Sequence, residues 1–301
     1  MSSIISYINH GLNRAKEDCL SMLSEIIKYK RKNYLVDGWF EEIAFLLYSY
    51  ILLIQQKSNI DGNIVEIGVH HGKSFILLSI LSNPESEKCV AIDLFEDLQS
   101  ENIDQSGSGN RQIFMGNLRR FSPNYRNLET ITGNTLKIGA DTILQKAGGP
   151  VRFFSVDGGH TPETTYNDMQ LAYRSICEYG VIVVDDYFNE MWPGVSEGVN
   201  SFCSDFTVYP FAIGGNKIFF TKSEKYAAIY MADITKMLVY KEPLIDRKLQ
   251  NRSFYKKIAF RGHEVVAMAK YVKRGLNEQL AYYLYNNHLI LRKIRTKLLK
   301  K

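Results

Sequence analysis

Ser155-Val-Asp-Gly-Gly-His160 and Gly180-Val-Ile-Val-Val-Asp-Asp186 decide how this chain folds. Each is a short apolar run that ends in acid residues, and a helical stretch from Pro162 to Tyr179 separates them. Runs rich in β-branched residues that alternate with helices pattern as parallel strands, and ligands of such sheets gather beyond the carboxyl ends of the strands. Asp157, Asp185 and Asp186 are therefore expected on one sheet edge, with His160 beside them. Three carboxylates and an imidazole in one crevice suit a hard divalent cation with a general base next to it. Thr161 fits the N-cap of the intervening helix, Pro162 its first position and Gly180 the position just past its end.

Working outward, the same alternation continues. Strands are expected at Asn63 to Gly68, Cys89 to Ile92, Leu128 to Ile131, Val151 to Val156 and Val181 to Val184, mostly with helices between them. Phe206 to Ala212 and Lys217 to Thr221 flank Gly214-Gly215-Asn216, a hairpin turn that would close the sheet with an antiparallel edge. Residues 3–58 pattern as helical throughout, and from about Ser223 onward the pattern is helical again, with no further strand signal. The expected fold is α/β: a Rossmann-like, doubly wound, mainly parallel sheet over residues 61–222, with a helical region at 1–60 and a basic helical extension at 223–301.

The first strand runs into Val65-Glu66-Ile67-Gly68-Val69-His70-His71-Gly72-Lys73-Ser74 and then into an apolar helix. Two glycines four apart at a strand-to-helix turn let a nucleoside approach the backbone closely. The turn lacks the glycine spacing of dinucleotide sites. Lys73-Ser74 resembles the end of a triphosphate loop, yet Ile67 stands where that loop needs glycine. Glu66 before the first glycine would repel phosphate and suits a cation such as a sulfonium. Asp93, about twenty residues on, can accept hydrogen bonds from ribose hydroxyls, and Asn134 and Thr135 after the third strand can reach an adenine edge. Glu66, Gly68, Gly72, Ser74, Asp93, Asn134, Thr135 and Asp157 thus outline a nucleoside pocket without a phosphate site. S-adenosylmethionine fits that outline. His70 and His71 lie in the turn and are assigned no catalytic role.

These segments resemble the class I methyltransferases. More narrowly, they are similar to the metal-dependent sugar O-methyltransferases of the macrocin and mycinamicin type, which are related to proteins described as rhamnosyl O-methyltransferases and cephalosporin hydroxylases. The resemblance spans roughly Asp37 to Thr221 and rests on Val65–Ser74, Ala91–Asp97, Ser106–Leu118, Val156–His160 and Val183–Tyr187. It implies Asp157, Asp185 and Asp186 as ligands of Mg²⁺ (or Mn²⁺) and His160 as the base that deprotonates an acceptor hydroxyl. The implied acceptor is a sugar or glycan. Two rival readings remain: methylation of a small phenol or catechol, and a non-catalytic nucleoside-binding scaffold. Ser106-Gly-Ser-Gly-Asn110 reads as a loop able to close over the cleft.

Composition narrows the setting. Four scattered cysteines, without a CxxC pair, read as reduced thiols of a cytoplasmic protein. The most apolar run, Ile43 to Ile54, is too short for a membrane span, which takes roughly 20 residues. Residues 251–301 hold 13 Lys/Arg against 2 acids, whereas the rest of the chain is mildly acidic. Helices with such a face are expected to pack in a homo-oligomer or to touch an anionic membrane peripherally, at its inner surface. Nucleic acid is the weaker option, since no binding motif accompanies the charge.

Overall fold

A computed structural model describes residues 20–270. Residues 20–30 form α1, followed by α2 (Glu42–Lys57), β1 (Asn63–Ile67), α3 (Phe75–Ile80), β2 (Cys89–Asp93), α4 (Arg111–Phe121), β3 (Leu128–Thr132) and α5 (Ala140–Ala147). Then come β4 (Val151–Val156), α6 (Pro162–Ser175), β5 (Ile176–Val184), α7 (Pro193–Asp205), β6 (Tyr209–Gly214) and β7 (Lys217–Thr221). The described part ends with α8 (Glu224–Tyr240), α9 (Arg247–Arg252), β8 (Ser253–Phe260) and β9 (His263–Lys270).

The strands join in one sheet of order β3-β2-β1-β4-β5-β7-β6-β9-β8. Pairings from β3 through β5 are parallel, β5–β7 and β6–β7 are antiparallel, and β6–β9 is parallel. Strand order reverses between β1 and β4, which opens a crevice at their carboxyl ends. Successive side chains of a strand point to opposite faces, so each strand feeds two cores. Phe153 and Val183 pack with α2 and α3 residues such as Phe45, Ile51 and Leu78. Their neighbours Phe154 and Ile182 pack on the other face with Ile143, Met169 and Val199 from α5, α6 and α7. Helix α2 is buried almost all round, from Ile43 to Gln55. Among the described residues no helix is long and apolar enough to cross a membrane.

Four local readings are corrected. Residues 31–41 break the expected N-terminal helix, with Gly38 at φ +127°. The helix after Pro162 stops at Ser175 rather than Tyr179, because Ile176 already pairs with Val151. Gly180 consequently lies inside β5 and is not a helix terminus. The hairpin β8–β9 replaces the helix expected over 253–270, turning at Arg261-Gly262, both at positive φ. Lys256 and Lys257 on the edge strand β8 looked like part of a charged helix face. The remainder of the basic extension, residues 271–301, lies outside the described residues, and so do the oligomer and membrane expectations that rest on it.

The amino ends of the strands are clamped by a buried ion pair. Arg152 on β4 donates Nε and Nη2 to the two carboxylate oxygens of Glu87, at 2.6 and 2.7 Å. It also donates Nη1 to Gln55 of α2 and Nη2 to the Leu81 carbonyl. Removing one partner of such a pair strands the other charge, at a cost of about 3–5 kcal/mol. Glu87→Ala should lose about that much in urea denaturation, whereas Glu87→Leu combined with Arg152→Met should lose far less. Equal losses would mean that volume, not charge, sets the cost.

Candidate functional site

At the switch point the turns after β1 and β4 touch. Gly68 sits at φ +80°, and a Cβ there would lie 1.6 Å from the Asp157 carbonyl oxygen. Only glycine allows this approach. Backbone bonds extend the ladder beyond the strands, from Gly68 N to Ile92 O, Asp157 N to Ile67 O and Asp185 N to Val156 O. The acids therefore inherit fixed positions from the sheet. Beyond them lies a cleft of about 730 Å³.

On the nucleoside side, Gly68, Ser74, Asp93, Asn134 and Thr135 all line the cleft. Asp93 accepts hydrogen bonds from His70 N (2.8 Å) and Phe95 N (2.7 Å), and burial raises its pKa. Asn134 caps a short turn through Leu136 N and donates to Glu101, which also lines the cleft. The Ser74 hydroxyl is committed to Glu66 (3.0 Å).

Two residues expected here do not line the cleft. Glu66 is fully buried beneath it, accepting from the Ser74 and Ser155 hydroxyls. Burial pushes its carboxyl up to about 7 despite the nearby Lys217. An inward position on a central strand explains its burial, and its work is to tie β1 to β4. Gly72, at φ +90°, faces the Phe114 ring, which a Cβ would meet at 3.0 Å.

The acid side departs further from expectation. Asp157, His160 and Asp186 each bring one donor atom within 4.8 Å of the others. Asp185 turns instead to the Lys217 ammonium, which contacts it directly and stands 4.0 Å from Asp157. Consecutive residues at a strand end diverge, so Asp185 and Asp186 serve different partners. Asp185 is thus paired with Lys217, and the side chains that meet at one point are Asp157, His160 and Asp186. Burial lowers the Lys217 pKa, but Asp185, Tyr48 and Asp157 more than reverse this, so the ammonium is held well above its ordinary value. Burial and the charge of Asp185 raise the Asp157 pKa well above the usual carboxylate range.

His160 lies at the mouth of α6, as expected. Thr161 caps that helix reciprocally with Thr164, and Pro162 opens it. The imidazole is held at both nitrogens, Nδ1 by Asp104 and Nε2 by Asp186, each at 3.0 Å. It stacks on Trp192 with ring centroids 4.4 Å apart. Burial works against the imidazolium, but Asp186 and Asp104 overcome it and raise the His160 pKa. Asp186, at φ +57°, also accepts from Asn189 and Asn216. The carboxylate oxygens of Asp157 and Asp186 fit Mg²⁺ or Mn²⁺.

Residues 65–187 match the family model described as a methyltransferase domain. The resemblance to class I S-adenosylmethionine-dependent methyltransferases seen in the sequence stands. An uncharacterized protein, R132, of Acanthamoeba polyphaga mimivirus is 26% identical over 186 residues, 60% of this chain and 78% of its own. The structure of the O-methyltransferase NovP covers 59% of this chain and 79% of its own, with 16% identity and a TM-score of 0.48. The O-methyltransferase TomG from Streptomyces achromogenes covers 67% and 90%, with 19% identity and a TM-score of 0.43.

Three residues at or beneath the site were missed by the sequence reading: Asp104, Lys217 and Asp168. Asp104 comes from the loop after β2, where it also accepts from Ser106. That loop lines the cleft through Ser106, Gly107 and Gly109. A lysine in the apolar run Lys217-Ile-Phe-Phe was the only sequence signal for a buried cation. Asp168 on α6 lies under the Gly158 turn, its Oδ2 buried without a partner. A Cβ on Gly158 would come within 2.5 Å of that oxygen.

Burial pushes the Asp168 carboxyl from its ordinary 3.8 up to about 7, while hydrogen bonds from Thr135 and Asn167 hold it back. A raised folded-state pKa favours the protonated fold. The stabilisation is complete below pH 3.8 and is lost as pH rises through about 7. Asp168→Asn should therefore be more stable than wild type at pH 8, by up to about 4 kcal/mol, with the gap closing in mildly acidic buffer. Thermal denaturation across that range reads it, and a constant gap would place the proton elsewhere.

Proposed function

We propose that the chain is a divalent-metal-assisted O-methyltransferase that uses S-adenosylmethionine and acts on a sugar hydroxyl of a glycan or glycosylated metabolite. The observation that carries this reading is the meeting of Asp157, His160 and Asp186 on the wall of the cleft that Gly68 and Asp93 also line. Asp93 retains lone pairs for the ribose hydroxyls, and Gly68 leaves room for the nucleoside against bare backbone. Bound S-adenosylmethionine supplies the methyl group and the sulfide that leaves with the bonding pair. A cation held by Asp157 and Asp186 would supply acidity to an alcohol placed against it.

The chain's own groups do the rest. His160 receives the acceptor proton, and Asp104 and Asp186 stabilise the imidazolium that results. Asp104 fixes the ring through Nδ1, which leaves Nε2 directed to the acid cluster. Trp192 keeps one face of the ring dry. Lys217 removes Asp185 from the reaction and neutralises part of the acid charge. A polyhydroxyl acceptor suits this end of the cleft, where Asn189, Asn216 and Asp104 offer hydrogen bonds. Most of the acceleration comes from alignment of oxygen, methyl and sulfur.

His160→Ala should lower methyl transfer by about 10²–10⁴-fold while calorimetry finds cofactor binding nearly unchanged. Asp157→Asn and Asp186→Asn should abolish transfer and its response to Mg²⁺ or Mn²⁺, read as methyl gain on candidate glycans by mass spectrometry. Full activity of these variants in EDTA would sink the metal-assisted reading. Cofactor binding with no transfer to sugar, phenol or catechol acceptors would favour the scaffold.

A further inference from the structure

A second donor cluster lies where the Asp37 segment meets the glycine turn. Asp37, His70 and His71 each place one ligand atom within 4.8 Å of the other two. His71 Nδ1 stands 3.6 Å from Asp37 Oδ2. The Nδ1 atoms of both histidines are buried and make no hydrogen bond. The Asp37 backbone lies near the His70 ring and favours its charged form, without a well-formed hydrogen bond to it. A buried polar atom left without a partner is costly, and two such nitrogens in one cluster with a carboxylate call for a common partner.

We propose that Asp37, His70 and His71 form a binding site for a transition-metal dication of the zinc, nickel or cobalt class, distinct from the Asp157 cluster and independent of the reaction proposed above. Two imidazoles with one carboxylate suit ions that accept nitrogen ligands, whereas Mg²⁺ and Ca²⁺ prefer oxygen. The rival is a simple ion pair between Asp37 and a protonated His71. Asp37 is 83% exposed, and a surface pair of that kind contributes little. It would also leave His70 Nδ1 unpartnered. A dication accounts for both nitrogens at once.

The frame is already rigid. His70 sits at φ +47°, with its N–H held by Asp93, and the His71 carbonyl accepts from Asn117 at 2.9 Å. On the other side, Lys73 Nζ donates to the Gly38 carbonyl at 2.8 Å, and Tyr29 holds the Lys73 carbonyl at 2.6 Å. The two imidazoles stack with centroids 3.8 Å apart. An ion here would join the 37–39 segment to the turn that borders the nucleoside pocket. It would also steady Trp39, which lines the cleft and lies 5.6 Å from the His70 ring.

The test is a Co²⁺ titration of the full chain, free of any histidine tag and carrying Asp157→Asn with Asp186→Asn, followed by visible absorption. The expected result is a ligand-field band that saturates at one cobalt per chain. His71→Gln should weaken that binding at least about tenfold with far-UV circular dichroism unchanged. Asp37→Asn, at an exposed side chain, repeats the test if the histidine variant misfolds. Absence of the band in cobalt excess, or equal affinity in the folded variants, overturns the site.

Discussion

Lys217 places one fixed positive charge where three strand ends bring carboxylates together, and the cleft depends on it. Asp157 and Asp185 end adjacent parallel strands, and Glu66 lies buried nearby. Like charges so close in a medium poorer than water cannot all stay ionised unless a cation joins them. The ammonium arrives from β7, the antiparallel neighbour of β5, and lies 5.8 Å from the ring centroids of both Phe40 and Tyr48. The edge hairpin thus completes the electrostatics of the parallel half. Losing either member of the Lys217–Asp185 pair would strand the other, which makes the arrangement rigid rather than especially stabilising.

The same pairing sorts the acids by role. With Asp185 bound to lysine, it is Asp157 and Asp186 that meet His160, whose ring lies between Asp186 and Asp104. The nucleoside side is organised differently, by backbone. Gly68 removes a side chain where two turns touch, and Asp93 spends its oxygens on amides while staying on the cleft wall. In the function proposed here, one sheet edge offers a backbone surface to the nucleoside beside a charged surface for the acceptor.

What was legible in the sequence was what depends on neighbours along the chain. Runs of β-branched residues located β1 to β5, the acids at their ends located the cleft, and Thr161-Pro162 located the start of α6. Gly214-Gly215-Asn216 located the hairpin. The failures have a common cause. Gly180 looked like a helix stop until the pairing of Ile176 with Val151 carried the strand back past it. The β8–β9 ribbon was hidden by lysines that suit an exposed edge as well as a helix face. Asp104, Lys217 and Asp168 meet their partners across tens of residues, where spacing carries no information.

The two histidine clusters show how far the setting, rather than the residue type, decides chemistry. His160 stands between two carboxylates that outweigh burial, so its ring favours the proton. His70 stacks on another imidazole, and burial with that neighbour outweighs the acids near it, so its ring disfavours the proton. An imidazole that holds a proton suits acid–base work at an acceptor oxygen. One that sheds its proton, with its nitrogen shut away from water, is prepared to donate a lone pair instead. Both line the same cleft, and in the roles proposed for them the sign of the shift goes with a proton carrier at His160 and a ligand at His70.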